Sequence, residues 1–278
     1  MTAEILEFSY NNHKISYTKW GSGEKLLLCI HGLTRNGRDF DFLAEALSPY
    51  YTIICPDMPG RGRSEWLGDH KMYNNNYYVE LTKALVESLG HKQVDWVGTS
   101  MGGLMGMIAT ALHPNLIRKM VLNDIGPYIS AEGMRRIATY IKDEVKFPTL
   151  DAAQRRFREI FAPFKIEQEE HWQHFFAHGF RASEGGYSFN HDPKIGAVFK
   201  DENGNIITLQ EFDLWRIWDA IQIPMLVLRG ERSDILSPEV FERMGQKAKT
   251  IEFPGFGHVP PLINAEQISA VKDFLLSN

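Results

Sequence analysis

Two stretches near the start of the chain, about 4–10 and 14–20, alternate polar and apolar residues and are separated by Asn11-Asn12-His13. Period-two alternation around a turn-forming break predicts an antiparallel hairpin with one face buried. The pattern then changes to continuous apolar runs. Lys25–Ile30 reads as a strand buried on both faces and ends in His31-Gly32-Leu33; Thr52–Cys55 is a second such strand, ending in Pro56-Asp57. Between them, Asp39–Leu47 places apolar residues at helical spacing. A longer helical stretch from Asn74 to Leu89 stops at Gly90, a residue suited to a helix C-terminus. Val94–Val97 and Leu116–Leu122 are further short strands, the first followed by Gly98-Thr99-Ser100-Met101-Gly102 and a helix-forming run to Leu112, the second by Asn123-Asp124. Strands alternating with helices in this way predict a mostly parallel central sheet with helices on both faces.

At Gly126-Pro127 the rhythm breaks. From there to about Ile221 the composition is helical, charged and aromatic, with Phe157, Phe161, Phe164, Trp172, Phe175, Phe176 and Phe180 concentrated in it. The strand rhythm resumes with Pro224–Leu228, a helix near 238–247, the strand Thr250–Phe253 and a closing helix over about 264–276. The expected organisation is a core domain of residues 1–126 and 222–278, interrupted by a helical cap insertion over 127–221.

Composition narrows the function classes. The 278 residues, 44% of them hydrophobic and 23% charged, suit a folded globular chain and not a disordered one. A net charge of −5 offers no general attraction for nucleic acid or an anionic membrane. Cys29 and Cys55 each fall in an apolar run, as reduced core thiols do. The first thirty residues lack the basic and apolar segments of a signal peptide, and no apolar run reaches membrane-spanning length, so the expected location is the cytoplasm.

The stretch around Ser100 carries the candidate chemistry. A serine on a sharp strand-to-helix turn, flanked by glycines that let backbone pass close, has its hydroxyl pushed clear of the sheet. The Met101 N–H, at the start of the following helix, has no intrahelical partner and lies at the positive end of the helix dipole, where it can hold an oxyanion. A serine of ordinary pKa needs a base, and the base an orienting acid. His258, in the loop Gly255–Pro261 after the last strand, is the best-placed base. Asp234, in the loop Gly230–Asp234 after the strand ending at Leu228, is the expected acid, since functional groups in open α/β sheets gather at the carboxyl ends of strands. The chain order is then nucleophile, acid, base.

With the Ser100 elbow, His31-Gly32, Asp57-Met58-Pro59-Gly60-Arg61-Gly62-Arg63-Ser64, the Asp234 loop and Gly257-His258 in this order, the sequence resembles the α/β-hydrolase fold superfamily over nearly its whole length. The form it resembles is the single-chain one with a cap inserted after the sixth strand. The resemblance implies a second oxyanion donor, the Leu33 N–H, beside that of Met101. It places His31 and Gly32 near the substrate and reads the Asp57–Ser64 turn as scaffold. Some relatives draw their acid from the end of the sixth strand, which makes Asp124 the alternative acid. No cofactor is implied. An aspartate at the elbow would suggest a dehalogenase or epoxide hydrolase; a serine points instead to cleavage of a carboxylic ester or lactone of a small, fairly apolar substrate. A C–C bond hydrolase of a ring-cleavage product and a non-turnover ligand receptor on the same fold are the alternatives.

Two further features invite a choice. His171, His174 and His178 would share one helix face, a spacing that raises a metal site, but Trp172, Phe175 and Phe176 explain the pattern as amphipathic packing and no metal is expected. Trp215 and Trp218, at the return from the insertion, are candidate pocket walls.

Overall fold

The computed structural model describes residues 3–141, 145–203 and 205–277. The amino-terminal strands β1 (Glu4–Tyr10) and β2 (His13–Trp20) form the expected hairpin. Asn11 and Asn12 both take positive φ, 50° and 63°, the geometry of a tight two-residue turn whose twist matches that of the strands. Four strands follow: β3 (Lys25–Ile30), β4 (Tyr51–Pro56), β5 (Val94–Thr99) and β6 (Ile117–Asn123). Between them lie α1 (Asp41–Leu47), α2 (Asn75–Ser88) and α3 (Met101–Leu112).

The segment expected to be the insertion contains β7 (Tyr128–Ile129), α4 (Ala131–Tyr140), β8 (Lys146–Phe147), α5 (Leu150–Ile160), α6 (Glu169–Gly179), β9 (Phe180–Ser183), β10 (Gly186–Phe189), β11 (Phe212–Asp213) and α7 (Trp215–Ala220). The chain closes with β12 (Met225–Gly230), α8 (Pro238–Met244), β13 (Lys249–Phe253) and α9 (Ala265–Leu276).

Eight strands form the central sheet in the order β1-β2-β4-β3-β5-β6-β12-β13. The pairs β1–β2 and β2–β4 are antiparallel, and every other pair is parallel. Side-chain alternation splits the core in two. Leu26, Leu28 and Ile30 of β3 pack with α2 and α3, while Leu27 and Cys29 pack with α1 and α9. Cys29 and Cys55 are both buried free thiols.

The insertion is less purely helical than its composition predicts. Strands β8, β10 and β9 form a small antiparallel sheet, and β7 pairs with β11 where the chain leaves and re-enters the core. The β9–β10 hairpin turns at Glu184-Gly185, and Gly185 and the first residue of β10, Gly186, have φ values of +81° and +148° that a side chain would oppose. Phe157, Phe164, Trp172, Phe175 and Phe176 form a separate aromatic cluster that also includes Val259 and Ile263, so the cap sits directly on the loop carrying His258.

Candidate active site

Ser100 lies at the join of β5 and α3 with φ 50° and ψ −112°, a conformation few non-glycine residues adopt. The neighbouring glycines make this turn possible. A Cβ on Gly98 would collide with the Gly102 carbonyl, and one on Gly102 with the Ile30 carbonyl of β3. The helix start is thereby packed onto two strands, leaving the serine above the sheet edge.

His258 Nε2 is 3.1 Å from Ser100 Oγ, and its Nδ1 is 2.6 Å from Asp124 Oδ2. A carboxylate only accepts, so Nδ1 carries the proton and the Nε2 lone pair faces the serine hydroxyl. Asp124 is fully buried at the end of β6 and fixed by three donors: Gly230 N–H to Oδ1 at 2.9 Å, Ser233 Oγ to Oδ2 at 2.7 Å, and the histidine itself.

Asp234 was the expected partner of this histidine, and the structure places it elsewhere. Its carboxylate is ion-paired with Arg136 of α4. Both aspartates follow strands at the same edge of the sheet, but β6 is the nearer neighbour of β5, and Ser233, adjacent to Asp234, turns its hydroxyl towards Asp124. The alternative acid of the sequence analysis is the one in contact.

The two expected oxyanion amides, of Leu33 and Met101, both border the cavity over Ser100. Among the described residues neither N–H has an acceptor within the protein. His31 accounts for the orientation of the first. The Met58 N–H donates to its Nε2 at 2.9 Å, so its Nδ1 carries the proton and donates to the Gly32 carbonyl at 2.7 Å, which also accepts from the Arg35 N–H. That carbonyl belongs to the same trans peptide as the Leu33 N–H, which must point the opposite way. Burial pushes the His31 pKa down to about 3, leaving the ring neutral.

His31 is thus wholly enclosed scaffold and does not border the cavity, whereas Gly32 does. Trp215 and Trp218 also lie outside it. The Trp215 ring stacks against the Arg243 guanidinium, 3.5 Å from its centroid, and Trp218 belongs to the core beneath α3.

Sequence reasoning missed Arg61. Its side chain is fully buried, with Nε donating to the Leu33 carbonyl at 2.8 Å, Nη1 to Pro59 O at 2.7 Å and Tyr78 Oη at 2.6 Å, and Nη2 lying 3.6 Å from Met101 Sδ. The glycine-rich turn that carries it thus contacts Leu33 and Met101, the two residues expected to supply the oxyanion amides. The cavity itself has a volume of about 390 Å³ and is largely apolar, with Ile129, Ile137, Phe161 and Phe199 among its walls.

In the histidine cluster, His174 and His178 come together with Asp41, their ligand-type atoms within 4.8 Å of one another. His171 instead meets Phe42 edge-on at 4.7 Å. Arg38 donates to Asp41 Oδ2 at 2.7 Å, so one oxygen of this carboxylate is already ion-paired.

Comparisons with known proteins bear on the family and the fold. A family profile described as the alpha/beta hydrolase fold matches residues 25–265. A 3-hydroxybutyrate-oligomer hydrolase of Cupriavidus necator is 36% identical over 271 residues, covering 94% of this chain and 92% of that protein. A crystal structure of an alpha/beta hydrolase from Novosphingobium aromaticivorans superposes with a TM-score of 0.86 at 31% identity, over 98% of each chain. A 2-(acetamidomethylene)succinate hydrolase of Mesorhizobium japonicum is 25% identical over 265 residues, 92% of this chain and 89% of that one. Among the described residues no helix is long and apolar enough to cross a membrane. From the serine turn, the parallel sheet and these matches together, the chain belongs to the α/β-hydrolase fold family.

Proposed function

We propose that this protein is a serine esterase that cleaves short hydroxyalkanoate esters through an acyl-enzyme. The observation that carries the reading is the contact of His258 Nε2 with Ser100 Oγ at 3.1 Å, with Asp124 on the other ring nitrogen. As Ser100 Oγ attacks the ester carbonyl carbon, His258 Nε2 takes the hydroxyl proton and Asp124 stabilises the imidazolium. The Leu33 and Met101 N–H groups hold the carbonyl oxygen as it becomes an oxyanion. When the C–O bond breaks, His258 returns its proton to the departing alcohol. Water, deprotonated by the same histidine, then attacks the acyl carbon, and as the bond to Ser100 Oγ breaks His258 returns that proton to the serine and the acid is freed.

The choice of substrate draws on the 36% identity to a 3-hydroxybutyrate-oligomer hydrolase over 94% of the chain, and on an apolar cavity of about 390 Å³ that suits a short acyl group. Hydrolysis of 3-hydroxybutyrate dimer and trimer, and of p-nitrophenyl esters of increasing acyl length, by wild type and Ser100→Ala tests it. Multiple turnovers lost in the variant support the reading. An inert wild type, or an active Ser100→Ala, overturns it and returns attention to C–C bond cleavage or ligand binding without turnover.

A further inference from the structure

A second hollow, of about 290 Å³, also reaches His258. It shares Arg136, Pro163, Asp234 and His258 with the main cavity, so the histidine is a wall common to both. Their chemistry differs. Where the main cavity is largely apolar, the second is bordered by three cations, Arg136, Lys165 and Arg232, and one carboxylate, Asp234.

The charges are unequally committed. Arg136 pairs with Asp234. The adjacent Glu231 accepts the Gly255 N–H at 2.6 Å. Among the described residues neither Lys165 nor Arg232 has a carboxylate within ion-pair distance. The Lys165 ammonium lies 5.1 Å from the Phe256 ring centroid and 2.7 Å from where a Cβ on Gly255 would stand. Among the described residues this mouth therefore holds two cations without carboxylate partners beside His258.

Which half of an ester would enter it follows from the proton path. His258 Nε2 must protonate the departing alkoxide, so the alcohol half lies at the junction of the two spaces. The acyl half, its carbonyl oxygen at the Leu33 and Met101 amides, is left to the apolar cavity. We propose that the basic mouth is a carboxylate subsite for the alcohol half, and that the preferred substrates are esters whose leaving alcohol is itself a hydroxy acid with a free carboxylate. This rests on the esterase reading above and specifies its substrate. Lys165 and Arg232 are exposed, so the interaction is screened by salt and acts mainly on substrate binding.

The test compares 3-hydroxybutyrate dimer with its methyl ester, in which the carboxylate is masked. For the wild type, KM should be about tenfold lower for the free acid, as expected of charge-assisted contacts, and rise with ionic strength. In Lys165→Gln/Arg232→Gln that preference should disappear through KM, with kcat nearly retained and KM for the methyl ester far less affected. Calorimetric titration of Ser100→Ala with the same two ligands reads binding without turnover, and should show the same preference, lost when both cations are replaced. Equal handling of acid and methyl ester, or equal damage to both in the double variant, overturns the inference. If the wild type hydrolyses neither compound, the esterase reading fails, and the titration still decides whether the mouth selects a carboxylate.

Discussion

Arg61 Nε donates to the Leu33 carbonyl at 2.8 Å, so a fully buried guanidinium braces the residue whose amide is proposed to hold the oxyanion. The same group reaches the Met101 sulfur at 3.6 Å, and among the described residues it has no carboxylate within ion-pair distance. Enclosing an unpaired cation is unfavourable unless its donors are satisfied, and here carbonyl and hydroxyl oxygens do that.

Replacing Arg61 by Met should therefore lower kcat about tenfold to a hundredfold while changing KM little, because the loss falls on oxyanion placement and not on ground-state binding. Affinity for a trifluoromethyl ketone that mimics the tetrahedral state should fall in parallel. If only the melting temperature drops and folded enzyme keeps its kcat, Arg61 is structural alone.

His31 links the same loop to pH. Its folded pKa of about 3 lies below the ordinary 6.5, and His191 is likewise pushed down to about 3, burial being the main cause in each. Between those values the unfolded chain binds more protons than the folded one, so stability is complete above about pH 6.5 and declines as pH falls towards 3. Each such ring can steepen the decline by up to about 1.4 kcal/mol per pH unit. Urea midpoints measured from pH 8 to pH 5 should fall on the acid side. His31→Asn, which cannot charge but keeps an N–H for the Gly32 carbonyl, should fall less steeply, and an unchanged slope would remove His31 as the cause.

The sheet was legible because β3, β4 and β12 are short, nearly unbroken apolar runs bounded by turn residues, as parallel strands buried on both faces are. The serine turn was legible for a related reason: Gly98 and Gly102 are demanded by backbone contacts that tolerate no Cβ. The small strands of the cap were not. They are two to four residues long and lie among aromatics that equally suit a helix face, and only Gly185-Gly186 marked the hairpin. Nor could composition tell that Arg35 and Arg61 are enclosed while Arg63 is exposed, since that depends on the loops meeting in space.

Trp215 illustrates the same limit. An aromatic at the return hinge is an obvious candidate wall, yet its ring packs on Arg243 outside the cavity. Trp215→Ala should keep kcat/KM on a p-nitrophenyl ester within about twofold and lower stability modestly, through loss of a cation–π contact of about 0.5–1 kcal/mol and its buried area. A large rise in KM would show that the ring meets substrate after all.

The two aspartates give the sharpest comparison. Both end strands at the same sheet edge, and the order serine, acid, histidine favours Asp234, but contact with His258 belongs to Asp124. Asp124→Asn keeps the shape while removing the acceptor that fixes Nδ1–H, so the ring can present a proton instead of a lone pair to Ser100. A fall in kcat of about ten-thousandfold is expected, as for other triads that lose the acid's charge. Asp234→Asn breaks only the pair with Arg136, which is partly exposed, and should change kcat less than about tenfold. Steady-state kinetics of the two variants on one neutral ester decide between them. A collapse in Asp234→Asn with Asp124→Asn nearly intact would mean that the working enzyme draws its acid from the β12 loop.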